Sequence, residues 1–181
     1  GQRYGSRTIV LETVTAVPGM VGATLLHLKC LRRMIDDGGW IRNLMDEAEN
    51  QRTHLMVFVT ITRPSQFERL LILLSQGIFY NAYFLLYLIS PRTAHRLVGY
   101  MAEDAVGGYG RYLERLIAGE IEDVAAPAVA IDYWNLSDDA RLSDVVAAIR
   151  EDEAIQRDIN HAFADALAAR QPLPKPAESA R

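Results

Sequence analysis

In the stretch Glu47-Ala-Glu-Asn-Gln-Arg-Thr-His-Leu-Met56, Gln51 and His54 stand three residues apart, a spacing that sets both on one face of a helix. Four-helix bundles that hold paired metal ions through carboxylates use this spacing, as Glu-x-x-His on two helices with one Glu from each of the other two. Here the acid of the motif reads Gln51. A second near-copy, Glu153-Ala-Ile-Gln156, keeps the acid and reads Gln where the histidine would stand. An amide is a neutral, weak ligand, so each copy retains one strong donor, His54 in the first and Glu153 in the second.

The elements that must carry these residues are helical. From about Arg7 an apolar pattern runs to Met34, with Gly1 to Gly5 reading as a short lead; Pro18-Gly19 inside it marks a kink or a place where another backbone comes close. Asp36-Asp-Gly-Gly39 stops that helix. Trp40 to about Thr62 is the second, with Ile41, Leu44, Ala48, Gln51, Leu55 and Phe58 on one stripe, and Pro64 ends it. Phe67 to Ile89 is the most apolar segment, and its part from Leu70 on has no formal charge and enough length to cross a bilayer. Interleaved Ser75, Gln76, Asn81, Tyr80, Tyr83 and Tyr87 fit a helix between protein and membrane surface as well as a core or dimer helix, and a true span less well. Ser90-Pro91 starts a fourth helix, to about Ala118, with Val98, Ala102, Ala105, Tyr109, Tyr112 and Leu116 inward. After a loop from Gly119 to Asp139, the last helix runs from about Ala140 to Arg170, and Glu153, Gln156 and Asn160 interrupt its apolar stripe.

The 181 residues, half of them apolar, suffice for one domain over 1–170, with a Pro-rich tail over 171–181 expected to be disordered. A net charge of −4 leaves no general basic face, which argues against nucleic acid as a partner. The single cysteine, Cys30, excludes an internal disulfide framework and suggests a reducing compartment. No strand alternation, phosphate loop or zinc spacing is present, so the chain is all-α.

Several blocks resemble the alternative oxidases, di-iron ubiquinol oxidases bound to one leaflet of a respiratory membrane: Leu11-Glu-Thr-Val-Thr-Ala-Val-Pro-Gly-Met20, Gly38-Gly-Trp40, Glu47-Ala-Glu-Asn50, Gln76-Gly-Ile-Phe-Tyr-Asn-Ala-Tyr-Phe84, Ala94-His-Arg96, Val98-Gly-Tyr100, Ile131-Asp-Tyr-Trp134 and Asn160-His161. They follow the family's order across about Arg7 to Phe163, and the resemblance places the family's first membrane-binding helix before Gly1. It implies a ferritin-like four-helix bundle with an added amphipathic membrane-interface helix, on the inner membrane at the bacterial cytoplasmic or mitochondrial matrix face.

The same resemblance assigns roles. Of the family's metal ligands Glu12, His54 and Glu153 are present, while Gln51, Ala102 and Gln156 occupy the remaining positions. Arg7, Leu11, Ala105 and Tyr109 match the quinol pocket, with Tyr109 a redox or hydrogen-bonding group if the protein is active. Asn50, Tyr87, Trp134 and Asp152 match a hydrogen-bond network around the metal. His27, Arg32, Arg52, Met56 and Gln76 match a dimer face, implying a homodimer or docking to a respiratory complex. Two functional readings follow. One is a member with a degraded site, no metal or a single Fe or Zn ion, and a structural, assembly or quinone-binding role. The other is an active ubiquinol:oxygen oxidoreductase with a rearranged dinuclear or mononuclear iron site.

Overall fold

The computed structural model of the chain describes residues 2–171, apart from the side chains of 2–8, 10 and 11. It holds helices α1 (Gln2–Arg33), α2 (Trp40–Thr62), α3 (Gln66–Ile89), α4 (Pro91–Ile117), α5 (Ala128–Trp134) and α6 (Leu142–Ala169). The bundle is all-α and ferritin-like in its arrangement: α1 runs along α2 and α4 along α6, and the two pairs face each other. The expected lead at Gly1 to Gly5 is a correction, because from Gln2 onward these residues already belong to α1. The expected tail falls almost wholly outside the described residues.

Local chemistry explains the boundaries. Gly38 and Gly39 take φ of 65° and 88° between α1 and α2, a left-handed turn that costs a glycine nothing. Ser65 and Glu68 close a capping box at the start of α3, and Ser90 caps α4 ahead of Pro91. Pro18 is accommodated within α1, whose helix continues through it. The neighbouring Gly19 is the position of close approach: a Cβ there would stand 2.6 Å from the Leu44 carbonyl oxygen of α2.

The stretch read as loop contains α5, which sequence reasoning missed. It is seven residues long, too short for a periodic stripe, and it forms because Ala130 is fully buried while Asn135 in the left-handed region ends it. The adjoining strap is pinned by one isolated antiparallel bridge, Ala125 with Arg141.

Helix α3 is not a core helix. It rests on α1 and α4, yet among its residues only Tyr83 is buried, and Phe67, Leu70, Leu73, Ile78, Leu85 and Ile89 lie open. By length and composition Gln66–Ile89 and Glu12–Arg33 could each cross a membrane. For the second of these, burial of nearly half its window against the bundle supplies the ordinary reason for its apolarity.

Two apolar clusters fill the bundle. One gathers Ile9, Phe58, Tyr109, Leu116, Val146 and Ile149, the other Val17, Val21, Tyr83, Ala94 and Val98. Along α1 the buried Glu12, Thr13 and Thr15 fall between Ile9 of the first cluster and Val17 of the second, so the site is a polar seam beside apolar packing.

Candidate metal centre

Each wall of the seam is a helix face set by one-turn spacing. From α1 come Glu12 and Thr15, from α2 Glu47, Asn50, Gln51 and His54, and from α6 Asp152, Glu153, Gln156 and Asn160, all buried. Glu12, His54 and Glu153 are at most 1% exposed, and each offers a ligand atom within 4.8 Å of the others. Nδ1 of His54 lies 3.4 Å from Glu12 Oε2 and 3.3 Å from Glu153 Oε1. Neither contact has hydrogen-bond geometry, so His54 Nδ1 and Glu12 Oε2 have no hydrogen-bond partner among the described residues. Tyr109 donates its hydroxyl to the other oxygen of Glu12.

The opposite edge of His54 is held. Nε2 faces Asp152 Oδ2 at 3.4 Å, and that oxygen also accepts from Asn50 at 2.6 Å and from the Trp134 indole at 2.8 Å. Asn50 further donates to the Tyr133 hydroxyl at 3.3 Å. Asn50, Trp134 and Asp152 therefore meet at one carboxylate oxygen. Tyr87 does not join them: its hydroxyl meets His95 Nε2 at 3.1 Å, in a second cluster where His95 Nδ1 faces Asn160 Oδ1 at 2.9 Å and Asn160 donates to Glu47 at 3.5 Å.

The two glutamines form an amide chain. Thr15 donates to Gln51 Oε1 at 2.8 Å, Gln51 Nε2 donates to Glu153 Oε1 at 2.7 Å, and Gln156 Nε2 donates to Asn50 Oδ1 at 3.3 Å. Turning the Gln51 amide over would set two oxygens 2.7 Å apart, so its N–H group faces Glu153. Ala102 is buried and carries no donor. Glu103 and Asp104, next along α4, are exposed and do not replace it.

Electrostatics follow from this packing. Burial alone would depress His54, but Asp152, Glu12 and Glu153 outweigh it and hold the imidazole well above its usual range. Burial raises Glu12 against the pull of His54. For Asp152 the cost of burial is outweighed by His54, Asn50 and Trp134, which keep it ionised and lowered. Burial, with Glu12 beside it, raises the Tyr109 hydroxyl.

The remaining sequence-derived positions are dispersed. The side chains of Arg7 and Leu11 lie outside the described residues, and Ala105 is buried with Tyr109 in one apolar cluster. His27, Arg32, Arg52, Met56 and Gln76 are exposed.

With this geometry in hand, kinship can be read. A sequence model of the family described as alternative oxidase matches residues 1–165. The chain belongs to the alternative oxidase family. Among alternative oxidases and ubiquinol oxidases of plants, it is 56% identical to ubiquinol oxidase 2, mitochondrial, of Glycine max over 91% of this chain and 49% of that protein. The protein of the same name from Arabidopsis thaliana is also 56% identical, over 91% of this chain and 46% of that one. The ubiquinol oxidase of Mangifera indica is 53% identical, over 91% and 52%. The chain thus spans about half the length of the curated relatives it matches. Alternative oxidases are di-iron enzymes, and the seam between α1, α2 and α6 is where this member brings Glu12, His54 and Glu153 together.

Thr15, Glu47, His95 and Tyr133 went unnoticed as site residues. Thr15 and Glu47 carried a readable signal, since they lie three and four residues from Glu12 and Gln51 on the same helix faces.

Proposed function

We propose that this chain is an alternative oxidase whose interior no longer assembles a pair of irons, and that it serves a respiratory membrane as a structural, assembly or quinone-binding protein with little or no oxidase activity. The observation that carries this reading is the Gln51 amide. A dinuclear centre needs anionic oxygens to offset at least four positive charges in a dry interior. Where the family's motif has a bridging carboxylate, Gln51 aims an N–H at Glu153. A hydrogen there repels a second cation instead of binding it. The Ala102 methyl and the Gln156 amide supply no charge to offset the loss.

The exposed apolar face of α3 suits adsorption to one leaflet of an inner membrane, with the tyrosines near the headgroups. A quinone would lie by Arg7, Leu11, Ala105 and Tyr109. The exposed face of His27, Arg32, Arg52, Met56 and Gln76 would take a second copy or a respiratory complex.

A second reading, an active ubiquinol:oxygen oxidoreductase with rearranged ligands, draws on the surviving Glu12, His54 and Glu153. One experiment separates the two: iron content and quinol-dependent oxygen uptake of the purified chain, and of Gln51→Glu, Ala102→Glu and Gln156→His combined. The first reading expects no uptake from the parent and paired iron in the triple variant. Two irons per chain and oxygen uptake in the parent would sink it.

A further inference from the structure

We infer that Glu12, His54 and Glu153 form a site for a single first-row divalent cation, bound through one oxygen of each carboxylate and Nδ1 of His54. This inference rests on the reading that the dinuclear site is lost, and adds what the remnant holds instead.

Three observations converge on it. Ligand atoms 2.0–2.1 Å from a tetrahedral cation lie about 3.4 Å apart, and His54 Nδ1 stands 3.4 Å from Glu12 Oε2 and 3.3 Å from Glu153 Oε1. Those are spacings of atoms sharing a cation. Secondly, His54 Nδ1 and Glu12 Oε2 have no hydrogen-bond partner although fully buried, whereas buried polar atoms are almost always paired. Thirdly, every ligand is clamped from behind. Asp152 faces Nε2 of His54, which directs the Nδ1 lone pair inward. Tyr109 occupies the other oxygen of Glu12. Gln51 donates to Glu153 Oε1, which keeps a further lone pair for a metal.

Charge fixes the number of ions. Two carboxylates and a neutral imidazole balance one divalent cation and fall well short of two. The amide hydrogens of Gln51 cover the direction in which a second ion would share Glu153. Two oxygens and one nitrogen suit Zn2+ and Fe2+ alike, with a fourth corner left to water.

The test uses the full chain in lipid nanodiscs, stripped with chelator and dialysed, titrated with Zn2+ and anaerobically with Fe2+. Bound equivalents, thermal midpoint and anomalous scattering are read beside quinol-dependent oxygen uptake. One equivalent per chain is expected, with a raised midpoint and one peak between the three side chains. His54→Gln should lower affinity by more than about 100-fold and Asp152→Asn, through its positioning of His54, by about 10- to 100-fold. The exposed Glu114→Gln should change nothing. Should His54→Gln not fold, Glu153→Gln, which can still accept from Gln51, carries the same test. No cation bound and no oxygen uptake would overturn the inference and leave the proposed function standing. Two irons with uptake would overturn both. One equivalent with uptake would keep the site and defeat the proposed function.

Discussion

His54 on α2 and His95 on α4 are almost equally shut off from water, at 0% and 1% exposure, yet their surroundings push them in opposite directions. Both lose hydration, which penalises the imidazolium. Around His54 stand Asp152, Glu12 and Glu153, and they raise it well above the ordinary histidine range. Around His95 stand the neutral Asn160 and Tyr87, and burial wins, so His95 is lowered. Both ring nitrogens of His95 have partners, while Nδ1 of His54 has none. Burial is therefore common to both positions, but it prevails at His95 and is overruled at His54. The anions around His54 demand a positive charge, from a proton or a metal, and the neutral cluster around His95 demands only shape and hydrogen bonds.

The most severe way to break this comparison is His54→Leu, which leaves buried carboxylates without a cation. It should cost about 3–5 kcal/mol, a drop on the order of 10 °C in thermal midpoint for a domain of this size. A loss under about 1 kcal/mol would mean that the carboxylates carry protons and that the surroundings of the two histidines are alike in charge.

Asn160→Asp sharpens it by placing an anion where His95 Nδ1 now meets an amide oxygen. His95 should then rise by about 1–2 pH units, read by NMR titration of its imidazole. An unmoved His95 would show that burial, and not the neighbour, sets its behaviour.

An effect confined to high pH is expected from Glu47→Gln. Burial lifts Glu47 from 4.5 to about 7, with Asn160 as its one opposing hydrogen bond. The folded protein therefore holds a proton that the unfolded chain releases near pH 4.5, so this contribution is full below pH 4.5 and is lost as pH rises to about 7. Glutamine carries no such charge. The variant should be more stable than the parent by about 3 kcal/mol at pH 8 and equal to it below pH 4.5, as thermal melts across pH will show.

Much of the helical frame was legible because its signals are local. Gly38-Gly39, Pro64 and Ser90-Pro91 marked boundaries that α2 and α4 respect within a residue. Gln51, Glu153, Gln156 and Asn160 stood out as polar breaks in apolar stripes, and all are buried. What escaped depends on contacts between distant segments. Short α5 is held by burial of Ala130 and by Trp134 reaching Asp152, neither visible as a periodicity. Tyr87, which the resemblance groups with Asn50, Trp134 and Asp152, meets His95, eight residues on, because the α3–α4 turn folds the two together. The orphaned Nδ1 of His54 belongs to three helices at once, and no spacing within one helix predicts it.

Gly19 adds a lesson about inheritance. The gap between α1 and α2 is fixed where a backbone hydrogen of Gly19 nearly touches the Leu44 carbonyl, two turns away from Glu12. The gauge of the seam is thus written in main chain, outside the seam itself. Side chains lining the seam can therefore be exchanged one by one without the walls drifting.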